Sequence, residues 1–181
     1  MSAFGILLFT IALVVAISLI YSTVKLGISP MPSSSKAYGS MMALVKETGK
    51  GTIIDLGSGW GNFVFPIARQ MPERQVIGYE LSLFPWLIST IIKNAFCLHN
   101  LTLYRKNFYH EKLPDASVIV CYLYPQAMNK VKRKLLTERP NVDFLISNNF
   151  ALPFAQASKK IQLSDFYKSP VYLYHIAKIT A

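Results

Sequence analysis

Apolar residues beyond the first 35 positions follow two alternating spacings. Short apolar runs typical of buried strands are separated by segments with helical spacing, and this alternation favours a mostly parallel sheet with helices on both faces. The last two runs flank "YKSP", which predicts a C-terminal antiparallel hairpin. The predicted strands are 52–56, 75–80, 101–107, 117–124, 142–149, 159–166 and 171–178, and the predicted helices are 36–49, 62–70, 85–97 and 126–137. Pro66 is an awkward residue inside the second of these helices.

The first 24 residues contain no charge, and "FGILLFTIALVVAISLIYSTV" from Phe4 to Val24 is almost wholly apolar. As a helix it would be roughly 30 Å long, which matches the hydrocarbon core of a bilayer. A cleaved signal peptide is the alternative, but it would need a basic residue before a shorter apolar run and a small-x-small cleavage site. The first basic residue is Lys25. We therefore expect a transmembrane anchor at residues 1–25 and one domain at 26–181.

Basic residues flank only one side of this segment. Lys25, Lys36, Lys46 and Lys50 follow it, and nothing basic precedes it. The positive-inside rule then places the domain on the cytoplasmic side of a membrane, or at the mitochondrial inner membrane in a eukaryote.

The formal net charge is +10, with 19 basic and 9 acidic residues. In an anchored domain, attraction to anionic headgroups explains such a charge at about 1 kcal/mol for each basic residue near the surface. The densest run, Asn129–Arg139, is open to three interpretations: a solvated helix face, a headgroup contact, or a substrate or nucleic-acid surface.

Cysteine and histidine indicate neither a disulfide nor a metal site. Cys97 and Cys121 both lie in apolar stretches, which predicts core residues in a reducing compartment. His99, His110 and His175 are widely separated along the chain, so no metal is expected.

Three glycines follow the first predicted strand, with an acid in front of them. The pattern, Asp55-x-Gly57-x-Gly59-x-Gly61, differs from a dinucleotide fingerprint because Asn62 stands where that motif needs its last glycine. A carboxylate there would repel a pyrophosphate but suits a ligand with an ammonium and a sulfonium group, which describes S-adenosylmethionine. The alternative is an ordinary turn from strand to helix.

A second acid, Glu80, ends the next predicted strand about 20 residues later, where a carboxylate can accept hydrogen bonds from the two hydroxyls of a ribose. A surface acid at a strand end is the other interpretation. Its pairing with Asp55 and the glycine loop favours ribose binding.

The stretches "DLGSGWG" and "VIGYELS" resemble the first two cofactor motifs of class I, seven-stranded S-adenosylmethionine-dependent methyltransferases. The resemblance extends to one branch of them, the mitochondrial lysine methyltransferases of the ATP synthase c-subunit and the adenine nucleotide translocase, with their archaeal relatives. Its further matches are "SPMPSSSKA", "KNFYHEKLPDASVIVCYLYPQAMNKVKRKL", "NNF" and "VYLYHI". The mitochondrial members also carry an apolar N-terminal segment.

The resemblance implies a Rossmann-like fold and a role for each matching residue. Tyr124 and Pro125 would face the methyl group, and Phe150 would flank the entrance for the acceptor. The residues implied at the cofactor are Asp55, Gly57, Ser58, Gly59 and Gly61 at its methionine end, Glu80 at the ribose, and Asn107 and Phe108 at the adenine.

The chain departs from the family pattern at three places. Trp60 stands where an acid is common, Asn62 replaces an arginine, and Met31 replaces an aromatic residue before the domain. The last of these bears on the choice of acceptor.

The sequence therefore predicts a membrane-anchored protein-lysine N-methyltransferase that converts S-adenosylmethionine to S-adenosylhomocysteine. An aromatic pocket would lower the pKa of the acceptor lysine without a dedicated base. Base-methylating enzymes usually carry Asp/Asn-Pro-Pro-Tyr after the fourth strand, where this chain has "YLYPQ", so no nucleic-acid partner is expected. The alternatives are a methyltransferase for a membrane lipid or quinone and a non-catalytic module that binds the cofactor.

Overall fold

A computed structural model describes residues 2–6, 8–10, 12, 13, 17, 35–165 and 168–180. Its helices are α1 (Ser35–Lys46), α2 (Val64–Gln70), α3 (Leu83–Ala95), α4 (Pro125–Glu138) and α5 (Ala177–Thr180). Its strands are β1 (Ile53–Leu56), β2 (Val76–Tyr79), β3 (Leu101–Tyr104), β4 (Ala116–Cys121), β5 (Val142–Asn148), β6 (Lys159–Gln162) and β7 (Pro170–His175).

The seven strands form one sheet in the order β3-β2-β1-β4-β5-β7-β6. The first five strands of the chain pair in parallel, and β7 runs antiparallel to both β5 and β6. The chain builds outward from β1 to β3 and then returns to place β4 on the other side of β1. The predicted parallel sheet and C-terminal hairpin are confirmed, and the reversal lies between β1 and β4, where such sheets bind ligands.

Two hydrophobic cores cover the two faces of the sheet. On one face α1 and α2 pack through residues such as Leu44 and Ile67 against Ile53 and Val118. On the other face α4 packs through Met128 and Leu135 against strand residues of β1, β4 and β5. The central strands are buried throughout because helices cover both faces, as their continuous apolar runs predict.

The amino edge of the sheet, where the parallel strands begin, buries a charged side chain. Arg74 is only 3% exposed and donates to the Gly51 carbonyl oxygen (2.7 Å), the Val45 carbonyl oxygen (3.0 Å) and Ser117 Oγ (2.6 Å). Beside it, Asn100 Nδ2 lies 3.0–3.1 Å from the carbonyl oxygens of Ala68, Met71 and Arg74. These contacts join α1, α2 and the starts of β1, β2, β3 and β4.

The outermost strand, β6, is short and polar on its exposed positions. Lys159, Lys160 and Gln162 are exposed, and Lys159 Nζ lies 2.8 Å from Glu47 Oε1 on the loop after α1. This strand forms one free edge of the sheet.

Two helix starts differ from the predicted ones by two residues, and both place a proline in the first turn. Helix α2 begins at Val64 and not at Asn62, so Pro66 falls among the first four amides, which have no partner within a helix. Helix α3 begins at Leu83 and not at Pro85. The first of these shifts removes the apparent conflict at Pro66.

One prediction about a single residue is wrong, and one residue of the basic run fits none of its three interpretations. Cys97, predicted to be a core residue, is exposed after α3, whereas Cys121 is buried as predicted. Lys134 belongs to the basic run for which a solvated face is one interpretation, yet it is buried, and its Nζ donates to the Glu111 carbonyl oxygen (2.6 Å) and to Glu138 (2.7 Å). One member of that run therefore stabilises the packing of α4.

Within the described part of the chain, no helix has both the length and the apolar character needed to cross a bilayer. Residues 1, 7, 11, 14–16 and 18–25 of the predicted anchor lie outside the described residues, as do the predicted domain boundary and Met31. The anchor and the boundary stay predictions.

Candidate functional site

The acids and glycines singled out in the sequence come together at the carboxyl edge of the sheet. Asp55 lies near the carboxyl end of β1, the glycine loop follows it, and Glu80 follows the neighbouring strand β2. Tyr124 immediately precedes α4 on the other side of the chain reversal. Their proximity follows from parallel pairing, since the carboxyl ends of β1, β2 and β4 meet at one edge.

The glycine loop is fixed by backbone hydrogen bonds to β2. The amides of Gly57 and Ser58 both donate to the Tyr79 carbonyl oxygen at 2.9 Å, and the Gly61 amide donates to the Ser58 carbonyl oxygen at 2.9 Å. The φ angles of Gly57, Gly59 and Gly61 are +91°, +53° and +85°. The loop thus turns sharply out of β1, with backbone exposed where a side chain would otherwise stand.

Glu80 is held in place by two backbone amides. Its Oε2 accepts from the Gly59 amide at 2.9 Å, and its Oε1 accepts from the Ser82 amide at 2.6 Å. The side chain is 9% exposed. A carboxylate fixed in this way has further lone pairs for the hydroxyls of a ligand.

Asp55 is buried on the inner strand β1, where it pairs with Gly78 on β2 and with Val120 on β4. Burial raises the pKa of the Asp55 carboxyl to about 7, and the nearby Glu80 carboxylate adds to the rise. Because both causes disfavour the negative charge, a cation placed close to Asp55 would be stabilised and would restore the ionised form.

Space and an unused polar group adjoin the loop. A Cβ built on Gly59 would meet no atom within 4 Å. The Ser58 hydroxyl is buried and, among the described residues, has no hydrogen-bond partner. An open side of the backbone, a buried hydroxyl and two acids fit a positively charged nucleoside such as S-adenosylmethionine.

Gly78 is a site residue that the sequence analysis did not single out. A Cβ at this position would lie 2.8 Å from Ser58 Oγ and 2.8 Å from Leu103 Cδ2. Gly78 therefore lets the glycine loop pack directly on β2. A glycine inside the apolar run "VIGYE" was the available signal, since a glycine in a strand often marks close approach of another segment.

The two residues predicted beside an adenine follow β3, at the same edge as Glu80. Asn107 Oδ1 accepts from the Tyr109 amide at 3.1 Å and so shapes a tight turn. Phe108 is buried, with its ring centroid 4.2 Å from that of Tyr109. Their contact with a base stays a prediction.

Aromatic side chains follow β4 and β5 at the same edge of the sheet. The rings of Tyr122 and Phe150 stack with centroids 6.3 Å apart, and Ser147 Oγ donates to the Phe150 carbonyl oxygen at 2.6 Å. Tyr109 lies near Tyr124, and burial, followed by that neighbour, raises the pKa of the Tyr109 hydroxyl. Tyr122 was not predicted as a site residue, although it belongs to the same "CYLYP" run as Tyr124.

The sequence matches one family model over residues 55–159, more than half of the chain, and that model is described as the ANTKMT methyltransferase domain. The chain belongs to this family. The matched range begins at Asp55 and includes the glycine loop, Glu80, Tyr124 and Phe150. The resemblance noted in the sequence is confirmed.

Two relatives of this ANTKMT-family chain carry established names. It is 28% identical over 132 residues to the adenine nucleotide translocase lysine N-methyltransferase of Mus musculus and 25% identical over 132 residues to the ATP synthase C-subunit lysine N-methyltransferase of Xenopus laevis. Each match covers 71% of this chain and 56% of the relative. The ANTKMT-family chain thus spans little more than half the length of these two proteins.

Solved structures share the fold of the ANTKMT-family chain at low identity. An RNA methyltransferase from Salinibacter ruber in complex with S-adenosyl-L-homocysteine superposes with a TM-score of 0.68 at 20% identity, covering 81% of this chain and 94% of that one. PKMT2 from Rickettsia typhi in complex with AdoHcy superposes with a TM-score of 0.53 at 19% identity, covering 68% of this chain and 28% of that one. Both show a shared methyltransferase fold.

Proposed function

We propose that this chain transfers a methyl group from S-adenosylmethionine to the Nζ atom of a lysine side chain in a protein. Two observations support the proposal. The chain belongs to a methyltransferase domain family, and its two named relatives are lysine N-methyltransferases.

The observation that carries the proposal is the arrangement of Glu80 and the glycine loop. The carboxylate is fixed by the amides of Gly59 and Ser82, and the open side of Gly59 leaves room beside it. Glu80 would hold the ribose hydroxyls. Asp55 and the loop backbone would hold the methionine end, where the ligand is cationic.

When bound, S-adenosylmethionine supplies a methyl group already activated by a positively charged sulfur. The remaining task of the protein is to present a neutral lysine amine in line with that group and to exclude water. Tyr122, Tyr124 and Phe150 would provide an apolar surrounding that disfavours the ammonium form and so lowers the pKa of the acceptor lysine. Asp55 and Glu80, the two buried carboxylates among the described residues, are assigned to the cofactor.

Membrane association of the chain and of its substrate is a further part of the proposal. Large apolar side chains in the described part of the N-terminal segment are 48–69% exposed: Phe4, Ile6, Leu8, Phe9, Leu13 and Ile17. Exposed apolar surface of this extent favours insertion into a bilayer. The basic residues that follow the segment favour a domain on the cytoplasmic side, or at the inner membrane in a mitochondrion. Carbonate extraction followed by protease protection of isolated membranes tests this placement.

A matched pair of glycine substitutions tests the cofactor site. Gly59 and Gly49 both have positive φ (+53° and +77°), and a Cβ on either meets no atom within 4 Å. Gly59→Ala and Gly49→Ala should therefore each cost about 1 kcal/mol of stability through backbone strain. Only Gly59→Ala should weaken binding of S-adenosylhomocysteine, measured by calorimetry. Equal affinities in the two folded variants would contradict the assigned site.

Incubation of the full chain with labelled S-adenosylmethionine and native membranes tests the reaction. We expect label on protein lysines, identified by mass spectrometry, with Gly49→Ala active and Gly59→Ala impaired. Label in the lipid extract instead would identify a lipid or quinone methyltransferase. Tight cofactor binding without transfer to any fraction would indicate a non-catalytic module.

A further inference from the structure

Helix α3 contributes unusually little to the interior. Its buried residues are Pro85 and Ser89, and none of its side chains belongs to either core formed by the described residues. It is fixed to the sheet by Trp86, whose Nε1 donates to the Leu103 carbonyl oxygen at 3.2 Å. A helix with the sequence LFPWLISTIIKNA would be expected to bury far more apolar area than this.

The apolar residues of α3 point away from the sheet. We define the outer face of α3 as Leu83, Leu87, Ile88, Ile91 and the following Phe96, which are 38–56% exposed. Leu83, Leu87 and Ile91 are four residues apart, and Ile88 lies beside them, so they share one side of the helix. Contiguous exposed apolar surface of this kind marks a place where another apolar phase is contacted.

Positive charge lies beside this face. The Arg69 guanidinium lies 4.2 Å from the ring centroid of Phe96, and Arg105 is exposed just after β3. No Asp or Glu occurs between Glu80 and Glu111, the stretch that contains α3 and β3.

We propose that the outer face of α3 lies against a lipid bilayer that contains anionic headgroups. Its aliphatic side chains enter the interface, and Arg69 and Arg105 meet the negative headgroups. This is the pattern of a helix that lies in the plane of a membrane, with apolar residues on one side and basic residues around them. The inference rests on the membrane association proposed above. It adds a second contact that is separate from the N-terminal segment.

The contact has a consequence for the site. Helix α3 begins three residues after Glu80, at the carboxyl edge of the sheet. Docking through α3 would therefore hold the cofactor edge beside the bilayer and fix its orientation, which a single flexible tether does not do. Lysines close to the headgroups would then be within reach of Tyr122, Tyr124 and Phe150.

Charge disfavours a second copy of the chain as the occupant. A second copy would bring Arg69 and Arg105 near the same cations of its partner, in a chain with a net charge of +10. Such like-charge contacts are unfavourable. An anionic lipid surface supplies the complementary charge.

The test places an environment-sensitive fluorophore on single cysteines of the full chain in phosphatidylcholine–phosphatidylglycerol vesicles. Cys97→Asn removes the exposed native cysteine. Cys121 stays, because it is buried and its thiol pKa is raised to about 12. Labels at Ile91→Cys and Leu87→Cys probe the outer face of α3, and a label at Thr137→Cys, exposed on α4, is the matched control.

We expect a blue shift at positions 91 and 87 and loss of fluorescence with lipids brominated near the headgroup, since an interfacial helix is buried by about 5–10 Å. The label at 137 should remain in water. Quenching at 137 and not at 91, or labels at 91 and 87 that stay in water while the chain floats with vesicles, would overturn the proposal. A blue shift at 91 without bromine quenching would place a protein there and would also overturn it.

Binding of S-adenosylhomocysteine and methylation of protein lysines, measured on the same labelled chains, report on the proposed function separately. A chain that methylates lysines but whose α3 labels stay in water would refute only the docking surface. A chain that fails to float with vesicles at all would refute both the anchor and this surface, whatever its activity.

Discussion

Buried polar groups at the amino edge and at the carboxyl edge of the sheet differ in how fully they are satisfied by protein atoms. At the amino edge, the Arg74 guanidinium makes three hydrogen bonds to protein atoms, and Asn100 Nδ2 lies near three carbonyl oxygens. At the carboxyl edge, Asp55 has a strongly raised pKa and the Ser58 hydroxyl has no partner among the described residues. Arg74, Asp55 and Ser58 are all less than 10% exposed, so burial of these residues does not explain the difference.

This contrast distinguishes polar groups that stabilise the fold from polar groups that remain available to a ligand. Satisfied buried groups contribute to a well-defined structure, whereas an under-satisfied group is a cost that persists where a ligand makes up the missing interactions. The same parallel strands thus provide a closed end that holds the fold and an open end at which we propose that the cofactor binds. Changes at the two ends should have different consequences, and three substitutions test this.

The largest effect is expected at the closed end. Arg74→Met removes the donor to Ser117 Oγ and to the Gly51 carbonyl oxygen and one of the donors to the Val45 carbonyl oxygen, which should lower the free energy of unfolding by about 3 to 5 kcal/mol. Urea denaturation measures this loss. Calorimetry on the folded fraction should show unchanged affinity for S-adenosylhomocysteine.

The control for that change is Arg133→Met, because Arg133 is exposed on α4. We expect a change within about 0.5 kcal/mol. An Arg74→Met variant as stable as Arg133→Met would show that the amino edge does not depend on its buried cation.

An intermediate effect, of opposite sign, is expected at Asp55. Its folded pKa of about 7 lies above the ordinary value of 3.8, so the folded state binds more protons than the unfolded state between these values. Protonated Asp55 stabilises the folded state fully below pH 3.8. This contribution is lost as the pH rises through 7, which lowers the free energy of unfolding by about 2 to 4 kcal/mol. Asp55→Asn should therefore be more stable than the natural chain at pH 8 without ligand, and nearly equal to it at pH 4.

Paired urea denaturation curves from pH 4 to pH 8 give that difference directly. A difference that does not grow with pH would show that Asp55 is ionised in the free protein. The same series with S-adenosylhomocysteine should show the natural chain gaining more from ligand than Asp55→Asn, since the ligand ammonium stabilises the carboxylate.

The smallest of the three effects is expected at Gly78. The new methyl group of Gly78→Ala would lie 2.8 Å from Ser58 Oγ and Leu103 Cδ2. Overpacking of this kind costs about 1 to 3 kcal/mol and should displace the loop, so cofactor affinity falls together with stability. Gly39→Ala is the matched control: Gly39 is within α1 with no atom near its Cβ position, and alanine should stabilise the helix by about 0.5 to 1 kcal/mol. If Gly78→Ala kept its affinity for S-adenosylhomocysteine, the loop would not depend on its contact with β2.

Most of the fold could be predicted from apolar spacing, because the strands are buried on both faces and the helices have one covered side. The errors occur where spacing and burial disagree. Cys97 follows an apolar helix, but the apolar side of α3 faces outward, so the residue is exposed. Lys134 is in a basic run, yet the Glu111 carbonyl oxygen and Glu138 allow it to be buried. Both outcomes depend on contacts between segments distant in sequence.

The proximity of the acids and glycines of the candidate site could be predicted from the sequence, because it follows from their order along adjacent parallel strands. Gly78 and Tyr122 were missed for different reasons. Gly78 acts through the space that it leaves for Ser58, which becomes visible only when the loop is folded onto β2. Tyr122 matters through stacking on Phe150, a residue that follows another strand.

The polar outer strand β6 has a consequence for how such chains behave when crowded on one surface. An exposed edge strand of a sheet can pair with a strand from a neighbouring molecule, which leads to aggregation. Adjacent Lys159 and Lys160 place like charges at that position, and only four residues are available for pairing. Neighbouring molecules should repel one another there, so they could be concentrated side by side without pairing through β6.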